Sequence, residues 1–117
     1  MTLREMYEGL GSNYDEVLER LMNNEGLITK LLKKYAEDQN FEKLKAAMAE
    51  KNYEDAFTAA HTLKGLAANL GFTELYERVS TLTEKLRGGE YEGNEELLSE
   101  VGVKQEAVVS GIGQLAD

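Results

Sequence analysis

Apolar residues recur along most of the chain at spacings of three and four, the period at which one face of an α-helix repeats. Val and Thr are scattered rather than gathered in alternating runs, so nothing indicates a β-strand. The pattern therefore predicts an all-α protein.

The predicted helices fall into a weaker N-terminal group and a stronger group that follows it. Residues 2–10 fit a short helix, and Ser12 or Asn13 can cap a second one that ends near Asn23-Asn24. Two clear stripes follow over residues 25–37 and 41–50. Because the chain contains no proline, these two segments can also form one bent helix.

Three more helices are predicted in the second half of the chain. Asn52 is a good N-cap for a helix over residues 53–70, and Gly71 suits the left-handed position that ends it. Thr73 can open the next helix, which Gly88-Gly89 ends. The last helix covers about residues 93–115, where three glycines weaken it: Gly102, Gly111 and Gly113.

The connections between these helices are short, which favours antiparallel packing of sequential helices. We therefore expect one domain over residues 1–117, built as an antiparallel four-helix bundle with short additional N-terminal helices. Residues 25–115 would form the bundle, and residues 1–24 would be a helical extension laid across one end of it.

Charge and composition narrow the function classes. The formal net charge is −9, which disfavours nucleic-acid binding and docking on an anionic membrane. No stretch approaches the roughly 20 apolar residues of a membrane-spanning helix, and the N-terminus lacks a signal-peptide run. The absence of cysteine fits a reducing compartment. We expect a soluble, cytoplasmic protein that is a monomer.

The predicted helix over residues 53–70 carries the only histidine of the chain. A helix turns by about 100° per residue, so the core face of this one contains Ala56, Ala59, Ala60, Leu63, Leu66, Ala67 and Leu70. His61 lies on the opposite side and should face solvent. Neutral imidazole is a nucleophile, so an exposed histidine here is a candidate reactive group.

The neighbours of His61 on the helix strengthen this interpretation. An exposed glycine inside a helix costs about 1 kcal/mol relative to alanine, yet Gly65 lies one turn after the histidine, where a side chain would cover the ring. Lys64 is three residues after His61, where its ammonium can reach a phosphoryl group on the imidazole. Phe57, Thr58 and Ala68 lie around the same position.

The run from Ala60 to Gly71, AHTLKGLAANLG, closely resembles the signature of the histidine phosphotransfer (HPt) family. The matching positions are His61, Lys64, Gly65, Asn69 and Gly71. The run departs at Leu66, where the family often has serine; because Leu66 is predicted to point inward, this change should affect packing more than chemistry.

The resemblance implies a role for each matching residue. His61 would accept the phosphoryl group through Nε2, Lys64 would support that group, and Gly65 would give the partner access. Asn69 and Gly71 would be structural positions at the end of the helix. The resemblance implies a carrier rather than an enzyme, without an ATP site, cofactor or metal of its own.

The partner implied by the resemblance is the receiver domain of a response regulator, a sensor histidine kinase, or both. The receiver would supply an aspartate, Mg²⁺ and the catalysis. Phe57, Thr58 and Ala68 are the predicted partner contacts beside the histidine. Three further aromatic residues are weaker candidates for this surface: Tyr35, Phe41 and Phe72.

Other functions stay open on the sequence alone. The chain can be a helical interaction module that is never phosphorylated, or the excised phosphorylatable domain of a larger sensor or chemotaxis-type kinase. A di-iron bundle is disfavoured because it needs inward Glu and Glu-x-x-His ligands on several helices. A self-sufficient enzyme is disfavoured because no phosphate-binding glycine loop and no second histidine are present.

Overall fold

The structure is a computed structural model, and it describes residues 1–115. This range contains seven helices and no strand. They are α1 (Leu3–Gly9), α2 (Tyr14–Arg20), α3 (Glu25–Ala36), α4 (Asn40–Ala49), α5 (Tyr53–Leu70), α6 (Thr73–Arg87) and α7 (Glu95–Gly113). Within residues 1–115 no helix combines the length and the hydropathy needed to cross a membrane.

Asparagine side chains begin three of these helices. Asn13, Asn24 and Asn52 each accept a hydrogen bond from the backbone N–H three residues later, at 3.3, 3.0 and 3.2 Å. Each bond satisfies one of the N–H groups that the first turn of a helix leaves without a partner. The predicted caps at Asn13 and Asn52 are therefore confirmed.

The chain between α3 and α4 is a true break, so the alternative of one bent helix is wrong. α3 ends at Ala36 and α4 begins at Asn40. The carboxylate of Asp38 accepts a hydrogen bond from the backbone N–H of Asn40 at 2.8 Å and from its side-chain amide at 3.0 Å. A short acidic side chain that binds nearby backbone in this way competes with continued helix.

The bundle is organised around α5, which packs against α4 on one side and α6 on the other. α7 contacts α6, α4 and α3, which closes the bundle. Four residues of α5 are completely buried: Ala56, Ala60, Leu63 and Ala67. Because three of these are alanines, the neighbouring helices can approach α5 closely. The predicted all-α bundle with short additional N-terminal helices is confirmed.

The two N-terminal helices lie at the C-terminal end of α5. The hydroxyl of Tyr7 donates to the backbone carbonyl of Leu70 at 2.8 Å, and burial raises the pKa of this hydroxyl. The guanidinium of Arg20 donates to the carbonyl of Ala68 at 2.8 Å. Both carbonyl groups belong to the last turn of α5, where a helix lacks donors of its own, and that of Ala68 also accepts a bond of 3.4 Å from the N–H of Gly71.

Two glycines that were expected to weaken α7 are packing positions. A Cβ atom at Gly102 would lie 3.1 Å from Phe41, and one at Gly111 would lie 3.0 Å from Met6. α7 continues through both residues to Gly113. Their low helix propensity is therefore offset by the close approach of α4 and α1.

Candidate functional site

α5 holds the candidate site at its middle. The helix has 18 residues, and His61 lies half-way between the cap at Asn52 and the left-handed Gly71 at φ 76°. α4 and α6 support the buried face of α5 along its length. The backbone around His61 is therefore fixed by regular helix and by packing, rather than by a loop.

The His61 side chain is exposed, as its position on the predicted helix requires. Its ring stacks against that of Phe57, with the ring centroids 5.9 Å apart and the planes inclined by 20°. Among the hydrogen bonds formed within residues 1–115, none involves the imidazole. Both ring nitrogens are thus free of the protein's own groups and open to solvent.

Gly65, one turn after His61, leaves open space on the surface of α5. A Cβ atom built at this position would meet nothing within 4 Å. Helix packing therefore does not require a glycine here, in contrast to Gly102 and Gly111. The missing side chain instead leaves the approach to the imidazole unobstructed.

Lys64 lies beside His61 but leans toward α6. Its side chain is 24% exposed, and its Nζ lies 3.9 Å from Oε1 of Glu84. The ammonium group therefore has an anionic partner within the protein while His61 carries no phosphoryl group.

A second cation, Arg87 of α6, lies over the ring of Phe57, which stacks on His61. Its guanidinium carbon lies 4.9 Å from the centre of the Phe57 ring, within the range of a cation–π contact. Its Nε donates to Oε2 of Glu84 at 3.2 Å. Neither Glu84 nor Arg87 was predicted as a site residue, because only the register of α6 against α5 brings them to this position.

The three predicted partner contacts lie around His61 with different degrees of exposure. Thr58 and Ala68 are exposed, whereas Phe57 is half-buried under Arg87. The Thr58 hydroxyl donates to the carbonyl of Glu54 at 3.1 Å, so within the free protein it is bound to its own helix. Thr58 and Ala68 are therefore directly accessible, and Phe57 offers only part of its ring.

Two of the weaker aromatic candidates belong to the core, and their assignment to a docking surface is wrong. Tyr35 and Phe72 are only 3% and 1% exposed, and their rings meet edge to face at 5.1 Å. The Tyr35 hydroxyl donates to the side chain of Gln105 on α7. Phe41 is half-buried and packs toward Gly102.

Leu66 and the end of α5 show how far the helix pattern holds. Leu66 was expected to point inward, but it is half-buried at the edge of the core. Asn69 is exposed, and its carbonyl accepts a hydrogen bond from Arg20 at 3.3 Å. A Cβ atom at Gly71 would lie 2.3 Å from Val17, so this position requires glycine both for its positive φ and for packing.

One comparison with known proteins matches the chain to a family. A family model described as Hpt domain matches residues 27–116 of the 117-residue chain. Neither the curated proteins nor the solved structures include a match. The matched range begins within α3, contains α4 to α7, and includes every residue of the candidate site.

Proposed function

Because the chain belongs to the Hpt domain family, whose members are histidine phosphotransfer carriers in two-component phosphorelays, we propose that His61 accepts and donates the phosphoryl group. The observation that carries this proposal is the exposed imidazole with unengaged nitrogens beside the open surface at Gly65. A reactive ring that must meet an atom of a second protein requires this accessibility.

The transfer needs little from the chain itself beyond positioning. The lone pair of neutral Nε2 attacks the phosphorus of a phosphorylated aspartate, and the N–P bond forms as the P–O bond to the carboxylate breaks. The proton on Nδ1 stays on the ring, and the aspartate leaves as a free carboxylate. The reverse reaction returns the group to a receiver, so His61 is a carrier in both directions.

The proposed partners are the receiver domain of a response regulator, a sensor histidine kinase, or both. The receiver contributes its aspartate, a Mg²⁺ ion and the catalysis, and this chain contributes no cofactor. Thr58, Ala68 and the accessible edge of Phe57 surround His61 and form the proposed contacts. Lys64 would offset part of the charge that the phosphoryl group adds, about −1.5 to −2 at neutral pH.

A labelling experiment tests this function. The purified chain is incubated with a receiver domain that carries a radiolabelled phosphoryl group on its aspartate, and separately with phosphoramidate as a small donor. We expect one acid-labile, base-stable phosphoryl group on the wild-type protein and none on His61→Gln. Since His61 is exposed, the variant should fold normally, which circular dichroism and urea unfolding check.

Two results would overturn the proposal. Label on the folded His61→Gln variant would place the reaction elsewhere, and a folded wild type that never becomes labelled would favour the alternative of a non-phosphorylated interaction module.

A further inference from the structure

The carboxylate of Glu84 contacts two cations, Lys64 on the site helix α5 and Arg87 on its neighbour α6. Oε1 lies 3.9 Å from Nζ of Lys64 on α5, and Oε2 accepts from Nε of Arg87 at 3.2 Å. Glu84 is 57% exposed and Arg87 52%, so these are surface contacts that can exchange partners. The carboxylate of Glu84 therefore interacts with both cations while His61 is unmodified.

Both cations belong to the surroundings of His61, Lys64 one turn along the same helix and Arg87 across the ring of Phe57. Lys64 follows the histidine by three residues, which places the two side chains next to each other on the helix. Arg87 lies over Phe57 at 4.9 Å, and Phe57 stacks on the imidazole at 5.9 Å. A phosphoryl group on the ring would therefore compete with Glu84 for the same two partners.

On this geometry, and resting on the proposed function, we infer that Glu84 is a positioning residue that weakens the retention of the phosphoryl group. Its negative charge stabilises Lys64 and Arg87 in the unmodified protein, and it repels a phosphoryl dianion nearby. Both effects raise the free energy of the phosphorylated protein relative to the unmodified one. Glu84 thereby shifts the transfer equilibrium toward the partner.

The equilibrium with phosphoramidate measures this effect without a partner protein. The P–N bond of the donor breaks, the N–P bond to the ring forms, and ammonia leaves, so the equilibrium constant follows from the phosphorylated fraction at fixed concentrations of phosphoramidate and ammonia. The fraction is read by ³¹P NMR. Glu84→Gln should raise this constant by about twofold to fivefold, the range for one partly exposed charge interaction.

A matched control separates this local effect from the loss of any one negative charge. Glu77 is an exposed carboxylate on the same helix, two turns before Glu84. Glu77→Gln makes the same change in net charge and should leave the constant at its wild-type value. Glu84→Asp, which keeps the charge, should stay close to wild type.

A further variant tests whether Glu84 acts through the two cations. In the background of Lys64→Ala with Arg87→Ala, the Glu84→Gln substitution should have a smaller effect than in the wild type, because the cations that it releases are gone and only its direct repulsion of the phosphoryl group remains. A merely structural role for Glu84 would give the same change in both backgrounds.

The outcomes distinguish this inference from the function on which it rests. A wild type that is never labelled would overturn the proposed function and this inference together. A labelled wild type would overturn the inference alone if Glu84→Gln left the constant unchanged or lowered it. An equal rise from Glu77→Gln, or a full effect in the Lys64 and Arg87 background, would also overturn it.

Discussion

The low helix propensity of Gly65 destabilises α5, and the packing of the protein does not explain why glycine is present there. Its Cβ position is open, so a side chain there would improve the helix, since glycine has a lower helix propensity than glutamine by about 0.5 to 1 kcal/mol. The absence of a side chain is instead understandable if another molecule must reach the imidazole. At this position the stability of the helix favours a side chain, whereas access of a partner to the imidazole favours glycine.

This conflict gives the first prediction. Gly65→Gln should raise the free energy of unfolding by about 0.5 to 1 kcal/mol and should slow phosphotransfer from a receiver at least tenfold, because the new side chain covers the approach to His61. Urea unfolding and stopped-flow transfer kinetics measure the two effects. Gly65→Ala is the control of intermediate size. Transfer by Gly65→Gln at the wild-type rate would contradict the steric explanation.

Lys64 gives a second prediction at the residue scale. Lys64→Ala should reduce the transfer rate or the phosphohistidine lifetime by about threefold to fivefold, since one partly exposed cation near the group is lost. Lys30→Ala removes the same charge from an exposed position on α3 and serves as the control. Both variants should fold with nearly wild-type stability. An unchanged rate together with an unchanged lifetime would remove Lys64 from the mechanism.

At the element scale, α5 was the most predictable part of the molecule. The spacing of its alanines and leucines identifies the buried face, and Asn52 and Gly71 mark its ends. These signals lie within the helix itself, so they can be interpreted without knowing how the other helices pack. Leu66 marks the limit, because a residue at the boundary of the core face depends on how closely the neighbouring helix covers it.

The break between α3 and α4 and the contribution of α6 could not be predicted in the same way. Both depend on which of several compatible arrangements the tertiary structure selects. Asp38 is compatible with a cap or with a kink, and only its bonds to Asn40 decide between them. Glu84 and Arg87 show no signal of function along the sequence, because their importance comes from the register of α6 against α5.

The contact of α1 with α5 is tested by removing a single hydroxyl. Tyr7 is completely buried, and its hydroxyl donates to the carbonyl of Leu70. Tyr7→Phe keeps the ring and leaves that carbonyl without its partner, which should lower the free energy of unfolding by about 1 to 2 kcal/mol. Urea unfolding measures the loss.

The same experiment has a control within the chain. Tyr91→Phe removes the hydroxyl of a tyrosine that is 42% exposed, and it should change the free energy of unfolding by less than about 0.5 kcal/mol. Phosphorylation of His61 by phosphoramidate should be the same in both variants, since Tyr7 binds Leu70 at the C-terminal end of α5 and Tyr91 stacks on Tyr53 at its N-terminal end. Equal stability of Tyr7→Phe and wild type would contradict the importance of this bond.

At the scale of the whole molecule, the helical class and the exposed histidine follow from the sequence pattern, whereas the arrangement of surface charge does not. The chain carries 22 acidic and 13 basic residues, yet Lys64 and Arg87 reach the vicinity of the one histidine from different helices. Composition reports only the sum of these charges. Their local arrangement depends on the packing of α5 against α6.

The distribution of aromatic residues was predicted less well for a related reason. The rings of Tyr35 and Phe72 pack against each other, Phe72 also stacks on Tyr7 of α1, and Tyr35 donates to Gln105 of α7, so residues from several helices surround them. Enclosure by several elements is a property of the complete fold. A list of apolar residues near a motif therefore overestimates the surface that is available to a partner.

The position of His61 in the middle of a continuous helix, capped at both ends and supported by α4 and α6, has a consequence for signalling. Such a backbone has no hinge through which a modification at the ring could be amplified into a change of shape. The two forms of the protein would then differ in the electrostatic potential of one small surface area. A partner that discriminates between them must sense that potential by direct contact.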